Sequence, residues 1–126
     1  MKNIFSLTIV LSASAVAQVV PVPEGERTPI PYSSPAEALT QLRLNPDVQV
    51  GEREGWTLAY DRRLHTVWAF APPMHPSYPS VVRRSHIQRE GKVFVDMAVL
   101  CLAGKDACAD LAREASKFDG GHDNQI

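Results

Sequence analysis

The clearest pattern in the chain is a series of strand-like runs, some alternating between apolar and polar residues and others apolar on both faces. Two such runs, Val81–Arg89 and Val93–Leu102, flank the turn residues Glu90-Gly91-Lys92 and predict a β-hairpin. Similar runs predict three earlier strands, at Val48–Glu54, Trp56–Asp61 and Leu64–Ala71. Consecutive hairpins of this kind imply an antiparallel meander sheet of about five strands.

The apolar content of each strand predicts its place in the sheet. Leu64–Ala71 is apolar on both faces, which is typical of an interior strand. Val93–Leu102 is also apolar on both faces apart from Asp96, and we expect it to be the central strand. Val48–Glu54 turns polar around Gly51, which predicts an edge strand with a bulge at the glycine.

A helix is predicted on each side of the strand region. Ser34 can cap free amides and Glu37 can bond back to the cap, so a helix is predicted over Ala36–Leu44. A helical period of apolar residues predicts a second helix over Asp106–Phe118, with Asp106 as its cap. With both helices packed on one face of the sheet, the predicted fold class is a two-layer α+β domain.

The segments outside this domain differ in composition. Residues 1–17 combine a positive charge, a short apolar run and the small-x-small sequence Ala15-Val16-Ala17, which predicts a secretory signal peptide. Residues 18–33 are rich in proline and predict an extended arm rather than a strand or helix. The sequence leaves open whether this arm lies over the core or is loose. Residues 34–118 are the predicted domain, and residues 119–126 have no packing pattern and predict a flexible tail.

Charge and cysteine content narrow the classes of function. The chain has 13 basic and 14 acidic side chains, and removal of Lys2 with the signal leaves 12 − 14 = −2. This balance gives no clustered basic surface for nucleic acid or for a charged membrane. Cys101 and Cys108 in an exported chain favour a disulfide. The loop that it closes would stabilise the fold by about 2.5 kcal/mol. The alternative is a redox or metal-binding thiol pair, but the spacing matches neither type of site.

The histidines and serines give no pattern for a metal or catalytic site. The four histidines are His65, His75, His86 and His122, and none stands at a ligand spacing from another. Zinc needs three or four converging ligands, so no metal and no cofactor are predicted. Serines lie near His75 and His86, but no nucleophile motif presents them, and no catalytic residue is predicted.

Asp96 is the polar exception on an apolar strand and has two interpretations. A buried carboxylate must be paired, and Arg83, Arg84 or His86 of the hairpin partner strand could lie opposite it. The structural interpretation is therefore a cross-strand ion pair. The functional alternative is an acid in a pocket on the sheet face, where Arg84 and His86 converge with Asp96 to serve a small-molecule binder or a hydrolytic enzyme.

The proline-rich loop Pro72–Pro79 is the predicted contact surface. Its prolines fix the backbone around Met74, His75 and Tyr78, which presents contact residues at low entropic cost. The alternative is a rigid crossover between strands with Tyr78 packed on the core. The candidate binding residues, which include arginines from the loop's surroundings, are Met74, His75, Tyr78, Arg62, Arg63, Arg83 and Arg84.

Three stretches of the chain resemble small exported proteobacterial proteins of unassigned function. They are Gly55–Arg63, Trp68–Arg84 and Met97–Cys108. The resemblance implies a periplasmic location and the disulfide, and it supplies no catalytic residue. From the proline-rich loop and the nearby arginines, we expect an exported binding or interaction module with a protein or cell-envelope partner. A further hypothesis is that the arm adds as a strand to another chain.

Overall fold

The computed structural model describes residue 8 and residues 19–117. The signal peptide and tail predicted for residues 1–17 and 119–126 lie outside these residues, as does Phe118, the predicted end of the second helix. Within residues 19–117, nine elements follow one another, including a short 3-10 turn at Glu24–Glu26. They are β1 (Val19–Pro21), the 3-10 turn, α1 (Pro35–Leu44), β2 (Val48–Arg53), β3 (Trp56–Asp61), β4 (Thr66–Phe70), β5 (Ser80–Arg89), β6 (Lys92–Cys101) and α2 (Lys105–Ser116).

The strands form one mixed six-stranded sheet in the order β1-β6-β5-β4-β3-β2. The α+β class is confirmed, but a purely antiparallel sheet of five strands is wrong. The sixth strand comes from the predicted arm, where Val19 pairs with Val93 in parallel and the Val22 amide donates to Val95 O at 2.9 Å. The edge of β6 offers unpaired backbone groups that this apolar segment can use. Consequently β6 lies between β1 and β5 and is not the central strand.

Tight turns set the register of the hairpins. Glu90 and Gly91 have φ values of 51° and 74°, the left-handed pair that a two-residue hairpin turn requires. The β2–β3 register runs without interruption from Val48–Asp61 to Arg53–Trp56. The predicted bulge at Gly51 is therefore wrong, because the polar residues there belong to a regular edge strand.

The first helix covers the main core cluster. Ser34 Oγ accepts the Glu37 amide at 3.1 Å, as the cap pattern predicts. The Glu37 carboxylate, however, bonds the amide and hydroxyl of Ser33 at 2.7 and 2.6 Å rather than the cap residue itself. Ala38 and Leu42 are buried on the inner side of α1. The buried residues of this cluster are Ala38, Leu42, Ala59, Trp68, Phe70 and Val81.

The second helix is joined to the sheet by a covalent bond. Cys101 at the end of β6 and Cys108 in α2 form the predicted disulfide. Gly104 precedes the helix without a side-chain cap, so the prediction of Asp106 as the cap is wrong. Leu100 packs against the α1 cluster, and the next residue, Cys101, points to the opposite face of β6 by strand alternation. The placement of both helices on one face stays a prediction. Within residues 19–117, no helix has the length and apolarity to cross a membrane.

Candidate functional site

The Pro72–Pro79 loop joins β4 to β5 and exposes large apolar side chains. Met74 is 97% exposed and Tyr78 is 48% exposed. Leu102 is also exposed and lies beside the loop, because its amide donates to Pro79 O at 2.9 Å. We call Met74, Tyr78 and Leu102 the loop surface. The alternative of a rigid crossover required Tyr78 to pack on the core. The exposure of its side chain argues against that alternative.

The interior of the loop is a small hydrogen-bonded network. The Ser77 amide donates to His75 Nδ1 at 3.1 Å, and Ser77 Oγ lies 2.7 Å from the same nitrogen. Ser77 Oγ also lies 3.0 Å from Ser80 Oγ. Since a backbone amide can only donate, Nδ1 is the acceptor of this hydrogen bond. His75 therefore acts as an acceptor that closes the loop on itself.

Ser77 Oγ and His75 Nδ1 lie as close together as a catalytic nucleophile and its base. Whether the Ser77 hydroxyl is accessible therefore decides whether the pair can act in catalysis. Ser77 is 1% exposed, and its hydroxyl is shared between His75 and Ser80. A nucleophile must approach a substrate atom, which this buried hydroxyl does not do. The pair serves to position the loop.

Neighbouring elements hold the loop from outside. The Trp56 ring of β3 packs edge-on against the His75 ring, with 5.1 Å between ring centroids. On another side, Cys101 Sγ lies 3.6 Å from Ser77 O, so the disulfide is also in contact with the loop. The loop surface therefore stands on a backbone fixed both internally and by its surroundings.

The predicted arginines are not gathered around the loop. Arg83 is buried, and Arg84 is half-buried on the opposite face of β5 by strand alternation. Arg62 and Arg63 are exposed in the β3–β4 turn, which lies at the other end of β4 from the loop. Of the predicted contact residues, the loop itself contributes Met74, His75 and Tyr78.

A second polar cluster lies beneath the proline-rich segment that precedes α1. The Arg83 guanidinium donates to Thr28 O and to Pro29 O, the latter at 3.4 Å, and it lies 5.6 Å from the centre of the Trp68 ring. Asp96 Oδ2 accepts the Thr28 amide at 3.2 Å and lies 4.0 Å from Arg83 Nη2. Burial lowers the pKa of Arg83, and the charge of Asp96 opposes that shift. The cross-strand pairing expected for Asp96 is thus made by Arg83.

The pocket hypothesis for Asp96 requires Arg84 and His86 to converge with it. Asp96 lies opposite Ser85 in the register, whereas Arg84 and His86 alternate to the other face of the sheet. Asp96 is 4% exposed and is covered by Thr28. The structure therefore does not bring these three side chains together. Within residues 19–117, no three potential ligands are grouped for a metal ion.

Sequence reasoning missed Leu102 and Trp56 as parts of the loop region. Leu102 continues the alternation of a strand, and nothing in that pattern marks it as exposed. Trp56 fits any half-buried strand, so its contact with His75 follows only from the packing. The fold and site together define an α+β domain with an internally hydrogen-bonded loop that exposes Met74 and Tyr78. Comparisons of the chain with protein-family models, curated proteins and solved structures find no match, so the function is argued from geometry.

Proposed function

We propose that the protein is an exported binding or interaction module whose loop surface contacts a protein or cell-envelope partner. The observation that carries this proposal is the exposure of Met74 and Tyr78 on a loop closed by His75 and Ser77. A fixed backbone loses little conformational entropy when a partner binds its side chains. Tyrosine is also among the residues that most often dominate binding energy at interfaces.

The proposed contact surface is apolar. Leu102 extends it beside Pro79, while Arg62, Arg63 and Arg83 lie elsewhere. A partner that offers an apolar depression suits this surface better than a strongly acidic partner. The disulfide favours an oxidising compartment, which agrees with the predicted signal peptide and a periplasmic or secreted location.

The test is capture of a partner from periplasmic extract by the immobilised, oxidised protein. The loop variant is Met74→Ser with Tyr78→Ser, which removes apolar contacts and keeps the hydrogen-bonded interior of the loop. The matched control is Leu44→Ser with Leu64→Ser, because both leucines are exposed and lie outside the loop. We expect the parent and the control to capture the same protein and the loop variant to lose it.

Thermal unfolding checks that all three proteins are folded to the same extent. Equal capture by the loop variant and the parent would exclude the loop as the contact surface. Absence of any captured protein would direct the search to small ligands, tested by a shift in the unfolding temperature.

A further inference from the structure

One end of the sheet gathers three turns and the point at which the chain enters the domain. Because β2 to β6 pair antiparallel with their neighbours, the α1–β2 turn, the β3–β4 turn and the β5–β6 hairpin turn all lie at this end. β1 runs parallel to β6 and begins with Val19 opposite Val93, beside the hairpin turn. We call residues 43–47, 62–65 and 89–92 the entry end. The Pro72–Pro79 loop lies at the opposite end of the sheet, since it joins the end of β4 to the start of β5.

The entry end carries an excess of positive charge. Its exposed charged residues are the cations Arg43, Arg62, Arg63, Arg89 and Lys92 and the acids Asp47 and Glu90, which gives 5 − 2 = +3. The turns and loop at the opposite end, residues 53–55, 72–79 and 102–106, contain two cations and two acids. The charge balance of the sequence predicted no basic cluster, because these cations are far apart along the chain and only the topology brings them to one end.

Exposed leucines lie among these cations. Leu44 is 73% exposed at the end of α1, and Leu64 is 59% exposed in the β3–β4 turn. The two turns are neighbours, because the Arg62 amide donates to Asp47 O at 3.4 Å. Apolar side chains among basic ones are typical of surfaces that bind an anionic bilayer: the leucines enter the acyl boundary, and the guanidinium groups bond the phosphates.

The position of Val19 gives a second reason to place a bilayer at this end. The chain before Val19 leaves the domain beside the hairpin turn, because β1 and β6 run in the same direction. The apolar run of the predicted signal peptide ends at Leu11, eight positions before Val19. Eight residues reach at most about 28 Å. A chain held at a bilayer by that run therefore has its entry end close to the lipid surface.

We propose that the entry end is a docking surface for an anionic phospholipid bilayer. Charge and exposed leucines supply the two attractions, electrostatic and apolar, that reversible membrane binding combines. The loop surface then points away from the bilayer. The docking surface does not depend on the proposed function, because Met74, Tyr78 and Leu102 lie at the opposite end of the sheet.

The first test measures binding of the full protein to vesicles by co-sedimentation. Vesicles of equal parts phosphatidylglycerol and phosphatidylcholine are compared with vesicles of phosphatidylcholine alone. Each Lys or Arg near an anionic surface strengthens binding about fivefold, so Arg62→Gln with Arg63→Gln should weaken binding to the anionic vesicles about 25-fold. Arg62→Lys with Arg63→Lys keeps the charge and should bind like the parent. Lys105→Gln removes a charge from the opposite end and should have little effect.

The second test separates the apolar from the electrostatic contribution. Leu44→Ser with Leu64→Ser should weaken binding about tenfold in both about 0.05 M and about 0.5 M NaCl, because salt does not screen apolar burial. The effect of the arginine changes should disappear at the higher salt concentration. Circular dichroism establishes that each variant is folded.

Three outcomes would overturn the proposal. The first is equal binding of the parent to anionic and neutral vesicles. The second is unchanged binding after Arg62→Gln with Arg63→Gln. The third is a loss after Lys105→Gln as large as that expected for one arginine of the entry end, which would assign the attraction to overall charge rather than to this surface. None of these results bears on capture of a partner by the loop surface, so the two proposals can fail separately.

Discussion

Two proline-rich segments of this protein are held in opposite ways. The segment from Pro21 to Pro35 lies over the sheet, and distant residues hold it: Asp96 and Arg83 bond Thr28 across 68 and 55 residues of chain. The Pro72–Pro79 loop is held mainly by its own residues, through bonds between positions two or three apart. Prolines alone therefore do not decide whether such a segment is part of the core.

The difference follows from where each segment finds hydrogen-bond partners for its backbone groups. Proline has no backbone N–H group, so a proline-rich backbone has more hydrogen-bond acceptors than donors. Over the sheet, the guanidinium of Arg83 supplies donors to the carbonyls of Thr28 and Pro29. In the loop, the amides of His75 and Tyr78 donate to the carbonyls of Pro72 and His75, and the His75 ring accepts the Ser77 amide. Because these bonds are all local, the side chains of Met74 and Tyr78 face solvent.

The largest expected effect comes from removing the distant anchor. Arg83→Met deletes the donors to Thr28 and Pro29 and leaves Asp96 buried without its cation. Loss of one member of a buried ion pair costs about 3–5 kcal/mol, so we expect the free energy of unfolding to fall by about 3 kcal/mol. Equilibrium urea unfolding measures this change.

Two further variants test the cause of that loss. Arg62→Ala removes an exposed arginine from the β3–β4 turn and should change stability by less than about 0.5 kcal/mol. Arg83→Met with Asp96→Leu removes the stranded charge and should recover part of the lost stability. If Arg83→Met were as mild as Arg62→Ala, the proline-rich segment would not depend on this anchor.

A smaller effect is expected inside the loop. His75→Ala removes the acceptor of the Ser77 amide and the ring that packs on Trp56, and we expect a loss of about 1–2 kcal/mol. His75→Asn keeps an acceptor for the amide two residues ahead and should lose less. The measurement is again the urea midpoint. Equal losses in the two variants would show that the hydrogen bond contributes little.

The smallest effect concerns the junction between the first segment and α1. Hydrogen bonds from the Ser33 hydroxyl and amide lower the pKa of Glu37, so the ionised form stabilises the fold. This contribution is present above the ordinary glutamate pKa and is lost as the pH falls through the lowered pKa. Ser33→Ala should move the Glu37 pKa upward, measured by carbon-detected NMR titration. An unchanged pKa would assign the shift to another group.

Local patterns predicted the elements whose causes are local. The cap at Ser34, the strand Trp56–Asp61 and the turn at Glu90-Gly91 all depend on residues a few positions apart. The loop was also recognisable, because its prolines and exposed residues are contiguous. The sequence therefore identified the loop and its exposed residues Met74 and Tyr78 as part of the candidate site.

Features that depend on distant residues could not be predicted in the same way. Val19–Pro21 forms a strand only because the edge of β6 is beside it, and prolines in the segment argue against a strand. Arg83 and Arg84 are neighbours in the sequence, yet one is buried under Thr28 and the other lies on the opposite face. Strand alternation predicts that the two side chains point to opposite faces of the sheet. It does not predict which face the segment around Thr28 covers.

The pairing of β1 with β6 also sets an order for the chain as it is made. Val19 leaves the ribosome early, while its partner Val93 follows only after four other strands and a helix. The Thr28 amide likewise finds its acceptor in the fold only after Asp96 has been synthesised. The first strand thus cannot pair until the last strand has been made, and a chain that stops before β6 cannot complete the layer over Arg83.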